Sequence, residues 1–287
     1  MGEASEREKG RVCLVNYSVL LSVYSREKPE YLRQAMDSMW RQTVPTDDFV
    51  LVCDGPLTEE LDAVIEDMQA AHTELQVIRL EKNGGLGNAL NVGIRHCRNE
   101  IIARMDSDDI SRPARCEKQL KAFAAHPEIS LCSGIVEEFT GSPEKIESKR
   151  VPPETSEDIL AFAKKRNPFN HPCMMYKKTA VQAVGGYRDF YLLEDYYLWV
   201  RMLQKGYAGY NIQESLLWMR AGSALFRRRA GRKYAKSQRA LFRYMKETGF
   251  ISGRQYIKSS MIRTASSLLP NCVRKLIYNK ALRNTGT

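Results

Sequence analysis

The sequence has no uninterrupted apolar run of the roughly 18 residues or more that a membrane-spanning helix requires. Its opening stretch, MGEASEREKG, lacks the apolar middle of a secretory leader. The expectation is a chain that neither crosses a bilayer nor is exported by that route. Cysteine is poorly arranged for pairing: Cys13, Cys53, Cys97, Cys116, Cys132, Cys173 and Cys272 are odd in number, and no two form a C-x-x-C pair. The four scattered histidines offer no zinc-site spacing. A disulfide framework and a structural zinc centre are therefore excluded, and the thiols are expected to be reduced, mostly buried and cytosolic. The glycine-rich turn Asn83-Gly84-Gly85-Leu86-Gly87-Asn88 does not have the G-x-G-x-x-G spacing, and no ribose-binding acid stands at the expected offset, so it is no dinucleotide fingerprint. Internal repeats and low-complexity segments are also missing.

What is present is a chain of 287 residues, 43% apolar, enough for a sizeable core. The net charge of +10 is unevenly spread: residues 221–287 hold 16 Lys or Arg against the single acid Glu247, which leaves −5 for the rest. An acidic globule with a basic end suits a polyanion or the anionic face of a membrane. Short runs rich in Val, Ile and Leu alternate with helical patterns, as in a parallel sheet covered by crossover helices. Strands are expected near 19–24, 49–53, 75–80 and 101–105. Between them lie a helix opened by Pro29 with Leu32, Ala35, Met36, Met39 and Trp40 on one face, and a second bearing Leu61, Val64, Ile65 and Met68. Beyond Ala125 the order is mixed: a strand at 129–136, an irregular charged stretch with Pro143, Pro152 and Pro153, helices near 156–164 and from Glu194, and two short strands at 207–213 and 216–219. The expected organisation is a polar tail (1–16), a globular α/β domain (17–220, its pattern changing at 125/126) and a basic amphipathic helical region (221–287).

Ligands of open α/β sheets sit beyond the carboxyl ends of the strands, so Asp54, Asn83 to Asn88 and Asp106 to Asp109 are the residues to weigh. Asp106-Ser107-Asp108-Asp109 is the sharpest signal. Carboxylates one residue apart at a strand end can hold Mg²⁺ or Mn²⁺, which can bridge a diphosphate and neutralise it as it leaves. The same acids also serve as turn and cap residues before Pro113, Asp54 as a turn residue in Asp-Gly-Pro, and Asn88 as the cap of a tight strand-to-helix turn.

The segments SVLLSVYSREKPEYLRQAMDSMWRQT, LVCDG, NGGLGNALNVGI and ARMDSDDISRPARCEKQ, in this order, resemble the nucleotide-binding half of family 2 glycosyltransferases with the GT-A fold, and the likeness spans about residues 17–220. The resemblance implies a doubly wound, mostly parallel α/β sheet with a C-terminal basic helical extension. It also implies a metal-dependent inverting enzyme that takes a UDP-sugar as donor. Asp54 would contact the uracil, Asp106 the ribose and Asp108 the metal, with Asp109 behind it and Asn88 as a further donor contact. Leu193-Glu194-Asp195-Tyr196 resembles the family's E-D pair, whose aspartate is the base; Asp195 would take the acceptor proton, and Glu194 would position the acceptor or share that role. Two acids in the first turn of a helix also simply complement its dipole. His171, in Asn170-His171-Pro172, could reach the metal, and Gly185-Gly186-Tyr187 resembles an acceptor-side loop. Met219-Arg220-Ala221-Gly222 and Arg227, Arg228 and Arg229 stand where relatives close arginines over the donor diphosphate, and a solvated charged helix face is the other reading of such residues.

The implied function is transfer of a hexose, galactose or N-acetylhexosamine, to a lipid-diphosphate-linked glycan in bacterial capsule or O-antigen synthesis. It would take place on the cytoplasmic, anionic face of the cell membrane. Apolar stripes at Ile257, Met261, Ala265 and Leu268, and at Val273, Leu276, Ile277 and Ala281, bordered by Lys and Arg, suit such a surface or pack on the globule. Two alternatives stand beside this reading. A sugar nucleotidyltransferase would need a glycine- and arginine-rich phosphate loop near the start, which VLLSVYSREK is not. A nucleic-acid-binding module would use the basic end, but that end carries no recognition motif, and no nucleic-acid partner is expected.

Overall fold

The computed structural model of the protein describes residues 15–221 and 231–268. Arg227, Arg228, Arg229, the stripe from Val273 to Ala281, residues 1–14 of the tail, Cys13 and Cys272 lie outside the described residues.

Four parallel strands, β1 (Tyr17–Val23), β2 (Asp48–Cys53), β3 (Leu75–Arg79) and β4 (Ile101–Asp106), lie in the order β3-β2-β1-β4. Helices α1 (Pro29–Trp40), α2 (Glu59–Ala71) and α3 (Leu86–His96) make the crossovers. Pro29 opens α1, where its missing N–H is not needed, and the Thr58 hydroxyl caps α2 by accepting from Leu61 N at 3.4 Å. Strand alternation divides these residues between two cores. Val19, Leu21, Phe49, Leu51, Ala103 and Met105 join α1 and α2 on one face of the sheet. Leu20, Val50, Val52 and Ile102 join α3 on the other. Burying each such large apolar side chain contributes about 1.5–3 kcal/mol, and a one-residue slip would reverse both layers, so the register is firmly held.

The other half of the sheet is mixed. β8 (Met175–Lys177) pairs antiparallel with β4, β6 (Ile129–Phe139) antiparallel with β8, β9 (Ala208–Arg220) parallel with β6, and β5 (Ile110–Ser111) antiparallel with β9. β7 (Ile146–Arg150) folds back on β6. The α/β class expected from the sequence holds, but the sheet is mixed rather than mostly parallel, because beyond β4 only β6 and β9 run parallel while β8, β5 and β7 pair antiparallel with their neighbours. Two sequence readings are corrected here. The strands expected at 207–213 and 216–219 are one strand, β9, whose exposed Gln213 and Glu214 fall where its register against β6 shifts around Gly134 to Val136. β7 occupies part of the stretch expected to be irregular.

Helices α4 (Arg115–Ala125), α5 (Ser156–Ala163), α6 (Lys178–Ala183), α7 (Glu194–Gln204), α8 (Gly231–Glu247) and α9 (Gly253–Leu268) complete the described chain. The boundary expected after residue 220 is not a break in packing. Tyr234, Leu241, Phe242 and Met245 of α8, with Phe250 and Ile251 after it, are buried in the second core beside Tyr196 and Trp199. The basic composition of α8 belongs to its outer face, and the helix itself is part of the domain. Cys53, Cys97, Cys116, Cys132 and Cys173 are buried and free.

Candidate active site

The parallel strands deliver their C-terminal residues to one edge of the sheet. Asp54 follows β2 and is only 5% exposed. Its Oδ1 accepts from Gly84 N at 2.7 Å and its Oδ2 from Gly85 N at 3.0 Å, while Asn83 Nδ2 donates to the Asp54 carbonyl at 3.0 Å. Asp54 therefore pins the glycine turn that leads from β3 into α3. Gly85 occupies the helix N-cap at φ +85, where a side chain would be strained, and a Cβ on Gly84 would come within 2.5 Å of Asn88 Nδ2. Asn88 is not the cap expected from the sequence: α3 begins at Leu86, which places Asn88 in its first turn, exposed at the turn's surface.

β4 ends in Asp106, and the turn after it brings Asp106, Asp108 and Asp109 together, with one carboxylate oxygen from each lying within 4.8 Å of the others. Two of the three are anchored. Arg104 Nη2 pairs with Asp106 Oδ1, and Arg220 N, at the end of β9, donates to Asp109 Oδ1 at 2.8 Å. Arg220 Nε also donates to the Asp108 carbonyl at 3.0 Å, and its guanidinium stacks 3.8 Å from the Tyr31 ring centroid. Among the described residues the Asp108 carboxylate makes no ion pair. Burial, then the Asp106 and Glu27 charges, push it up to about 7, and Asp109, 2% exposed, is held well above the usual carboxylate range by burial and by Asp108 and Asp106. Glu27, from the loop after β1, accepts from Ser107 Oγ at 2.5 Å and closes the acidic turn from the far side. Carboxylates crowded so closely at a partly buried strand end have the donor set and spacing of a site for a hard divalent cation.

The second group stands at the start of α7. Asp195 Oδ2 accepts from Asn167 Nδ2 at 2.6 Å, and Oδ1 accepts from Tyr196 N at 2.7 Å. Burial, reinforced by the Asp195 charge, pushes the Glu194 carboxyl up to about 7. The loop before α7 is held to α3 by Asn91, whose Nδ2 donates to Tyr187 O at 2.7 Å and whose Oδ1 accepts from Tyr187 N at 2.8 Å. Arg201 secures the same loop by donating to Val184 O and Gly186 O at 2.5 and 2.7 Å. Gly186, at φ +64, leaves room for Asn91 Oδ1, which a Cβ would approach to 2.4 Å.

His171, expected at the metal, is corrected. Its Nε2 lies 2.9 Å from Tyr187 Oη, its ring packs against Trp199 with centroids 6.0 Å apart, and it is not part of the carboxylate group. Burial, then the nearby Arg104 charge, holds its imidazole well below the ordinary value, so it is neutral and supports the Tyr187 loop. The structure thus gathers Asp106, Asp108 and Asp109 in one cluster and Glu194 with Asp195 in another, and leaves Asp54 and Asn88 on the glycine turn. Arg104, Arg220, Asn167 and Asn91 complete the site without having been expected in these contacts. Arg104 carried a signal, a charge inside an otherwise apolar strand, and Arg220 carried another as a candidate diphosphate arginine, though not as the partner of Asp109.

The family model described as "Glycosyl transferase family 2" matches residues 18–185. Among curated proteins, the amylovoran biosynthesis glycosyltransferase AmsE of Erwinia amylovora is 42% identical over 267 residues, covering 92% of this chain and 98% of the relative. The UDP-Gal:alpha-D-GlcNAc-diphosphoundecaprenol beta-1,3-galactosyltransferase of Escherichia coli is 38% identical over 268 residues, 93% of this chain and 96% of the relative. Among solved structures, S. aureus TarS 1-349 in complex with UDP-GlcNAc superposes with a TM-score of 0.66 at 16% identity, over 93% of this chain and 76% of that one, a likeness of fold.

Proposed function

Given that the chain belongs to glycosyl transferase family 2 and is a glycosyltransferase, we propose that it moves a hexose from a UDP-sugar to a lipid-diphosphate-linked sugar, with inversion, during assembly of a bacterial surface polysaccharide. The donor and acceptor classes come from the Escherichia coli relative, whose name specifies UDP-Gal and GlcNAc-diphosphoundecaprenol and whose length this chain nearly matches. Galactose and N-acetylhexosamine are the favoured sugars. The observation that carries the chemistry is the pairing of two acid groups of opposite character. The cluster of Asp106, Asp108 and Asp109 is short of positive charge, and Asp195, fixed by Asn167, stands beside Glu194, whose carboxyl burial pushes up to about 7.

Asp108 and Asp109 would hold Mn²⁺ or Mg²⁺, and Asp106, anchored by Arg104, would receive the ribose hydroxyls. The cation would supply charge neutralisation for the departing UDP. Asp54 fixes the glycine turn against which the uracil would lie, and its remaining lone pairs can accept from the imide. Asn88, exposed beside that turn, is a further contact. Arg227, Arg228 and Arg229 are proposed diphosphate ligands on the strength of guanidinium chemistry. Asp195 takes the proton of the acceptor hydroxyl as it attacks the anomeric carbon, and Asn167 fixes the carboxylate plane. Glu194, pushed up to about 7 and so partly protonated at neutral pH, donates to an acceptor oxygen and orients it.

Among the described residues no helix is long and apolar enough to cross a membrane. The proposed membrane contact is the outer face of α9, where Ile257 and Met261 are 58% and 68% exposed and Arg254 and Lys258 stand beside them. The test of the function is incubation of the purified enzyme with UDP-galactose or UDP-N-acetylhexosamine, Mn²⁺ and a synthetic lipid-diphosphate GlcNAc, followed by NMR of the product. A β-linked disaccharide that disappears with EDTA is expected. An α-linked product overturns inversion, and transfer at full rate in EDTA overturns the metal role.

A further inference from the structure

Alternation along β4 sets Ile102, Arg104 and Asp106 on the face opposite Ile101, Ala103 and Met105. Arg104 is thereby driven into the second core, where it is 0% exposed. Its neighbours there are Tyr176, Tyr187, His171 and Glu194, all within reach of its charge. Nη2 pairs with Asp106 Oδ1, whereas Nε and Nη1 have no hydrogen-bond partner among the described residues.

Arg115, equally buried eleven residues on, makes the instructive contrast. Its Nε donates to Gln119 Oε1, its Nη1 to Met105 Sδ and its Nη2 to the carbonyls of Arg104 and Met174. That is how a guanidinium kept for structure distributes its donors. Arg104 instead leaves two of its three nitrogens unpaired in a desolvated layer and applies the third to one carboxylate. That carboxylate, Asp106, belongs to the same cluster as Asp108 and Asp109. A buried charge so poorly hydrogen-bonded is explained by the acids it faces.

We propose that Arg104 is a positioning residue for the transfer reaction: the resident counter-ion that holds Asp106 in place and offsets the negative charge at the end of β4 while no divalent cation is bound. It links the donor side to the acceptor side, because the same guanidinium is within electrostatic reach of Tyr187 and Glu194. The proposal rests on reading the three-aspartate cluster as the metal site, and the experiment keeps the two apart.

Full-length Arg104→Met and Arg104→Lys are compared with the wild type by Mn²⁺ calorimetry without nucleotide, by thermal melting, and by separate kcat and KM for the UDP-sugar. The Met variant loses a fixed positive charge beside the cation, so Mn²⁺ should bind about fivefold tighter. With Asp106 no longer held, the KM for the UDP-sugar should rise about tenfold. The Lys variant keeps the charge but not the fork, so its Mn²⁺ affinity should stay within about twofold of wild type while KM still rises. Lower melting temperatures with unchanged Mn²⁺ affinity and unchanged KM overturn the proposal and leave Arg104 a core residue. If the Met variant does not fold, the Lys variant decides: wild-type KM, or a shifted Mn²⁺ affinity, overturns the counter-ion role. A wild-type enzyme that binds no Mn²⁺ overturns the metal reading of the cluster, and this proposal with it.

Discussion

Replacing Asp195 by asparagine separates a catalytic base from a structural acid, and the local bonds allow both effects to be sized. The carboxylate accepts from Asn167 Nδ2 through Oδ2 and from Tyr196 N through Oδ1. An amide at 195 can keep Oδ1 on Tyr196 N, but its new NH₂ then faces the NH₂ of Asn167. Asn167 can answer by turning its own amide over, which sacrifices the bond its Oδ1 accepts from Phe169 N at 3.3 Å. The structural cost is therefore one weak hydrogen bond plus the loss of charge assistance, about 1 kcal/mol, or about 2–4 °C in Tm for a domain of this size. Loss of a positioned general base costs on the order of 10²–10⁴ in kcat, equivalent to about 3–5 kcal/mol of barrier. The assay is UDP release with saturating donor and acceptor, normalised to the folded fraction from a melting curve run on the same sample. A variant with kcat within about fivefold of wild type would refute the assignment. A variant that melts far earlier, but whose folded fraction turns over normally, would show that Asp195 serves the helix and loop only. Glu194→Gln measured alongside should lose less, because the Glu194 carboxyl, pushed up to about 7, is already partly protonated at neutral pH and serves to orient the acceptor.

Asp108→Ala should abolish Mn²⁺-dependent UDP binding in calorimetry yet raise the Tm of the metal-free protein, because an acid pushed up to about 7 by burial and by Asp106 and Glu27 opposes folding when ionised. Metal-free stability should fall as pH rises from about 4.5 through 7: the folded state holds a proton on Glu194 that the unfolded chain has released, and melts in EDTA at pH 5.5 and 8 should show a slope that Glu194→Gln reduces. Gly85→Ala, at φ +85, should cost about 1 kcal/mol or more and raise the KM for the UDP-sugar by loosening the turn that Asp54 holds, as steady-state kinetics would show. Truncation after Ser252 should leave a folded protein that moves from the membrane to the soluble fraction, since each Lys or Arg near an anionic surface is worth about 1 kcal/mol. A cut inside α8 should unfold the domain, because Leu241, Phe242 and Met245 are buried, and circular dichroism distinguishes the two truncations.

Local order was legible wherever one physical period dominated. Leu61, Val64, Ile65 and Met68 define the buried face of α2 because 3.6-residue spacing leaves no other arrangement, and the apolar strands of the parallel half announce themselves by burial on both faces. The same reasoning located Asp54, Asp106 and Asp108 at strand ends. It missed what depends on partners far away in sequence. The bonds between Asn91 and Tyr187 span 96 residues and those between Arg220 and Asp109 span 111, and no local pattern encodes either. β9 read as two strands because the polar pair Gln213 and Glu214 breaks an apolar pattern, whereas a register shift against β6 absorbs the pair without ending the strand. In α8, net charge obscured a readable stripe: Tyr234, Gln238, Leu241, Phe242 and Met245 recur at helical spacing beneath the basic residues. Arg104 is the instructive case, since a charge within Ile101-Ile102-Ala103-Arg104-Met105 contradicts a strand buried on both faces. Such a contradiction persists in a folded protein only where another group compensates for it. The compensating group was two residues away in the sequence, on the same face of the strand, and it is the first acid of the cluster.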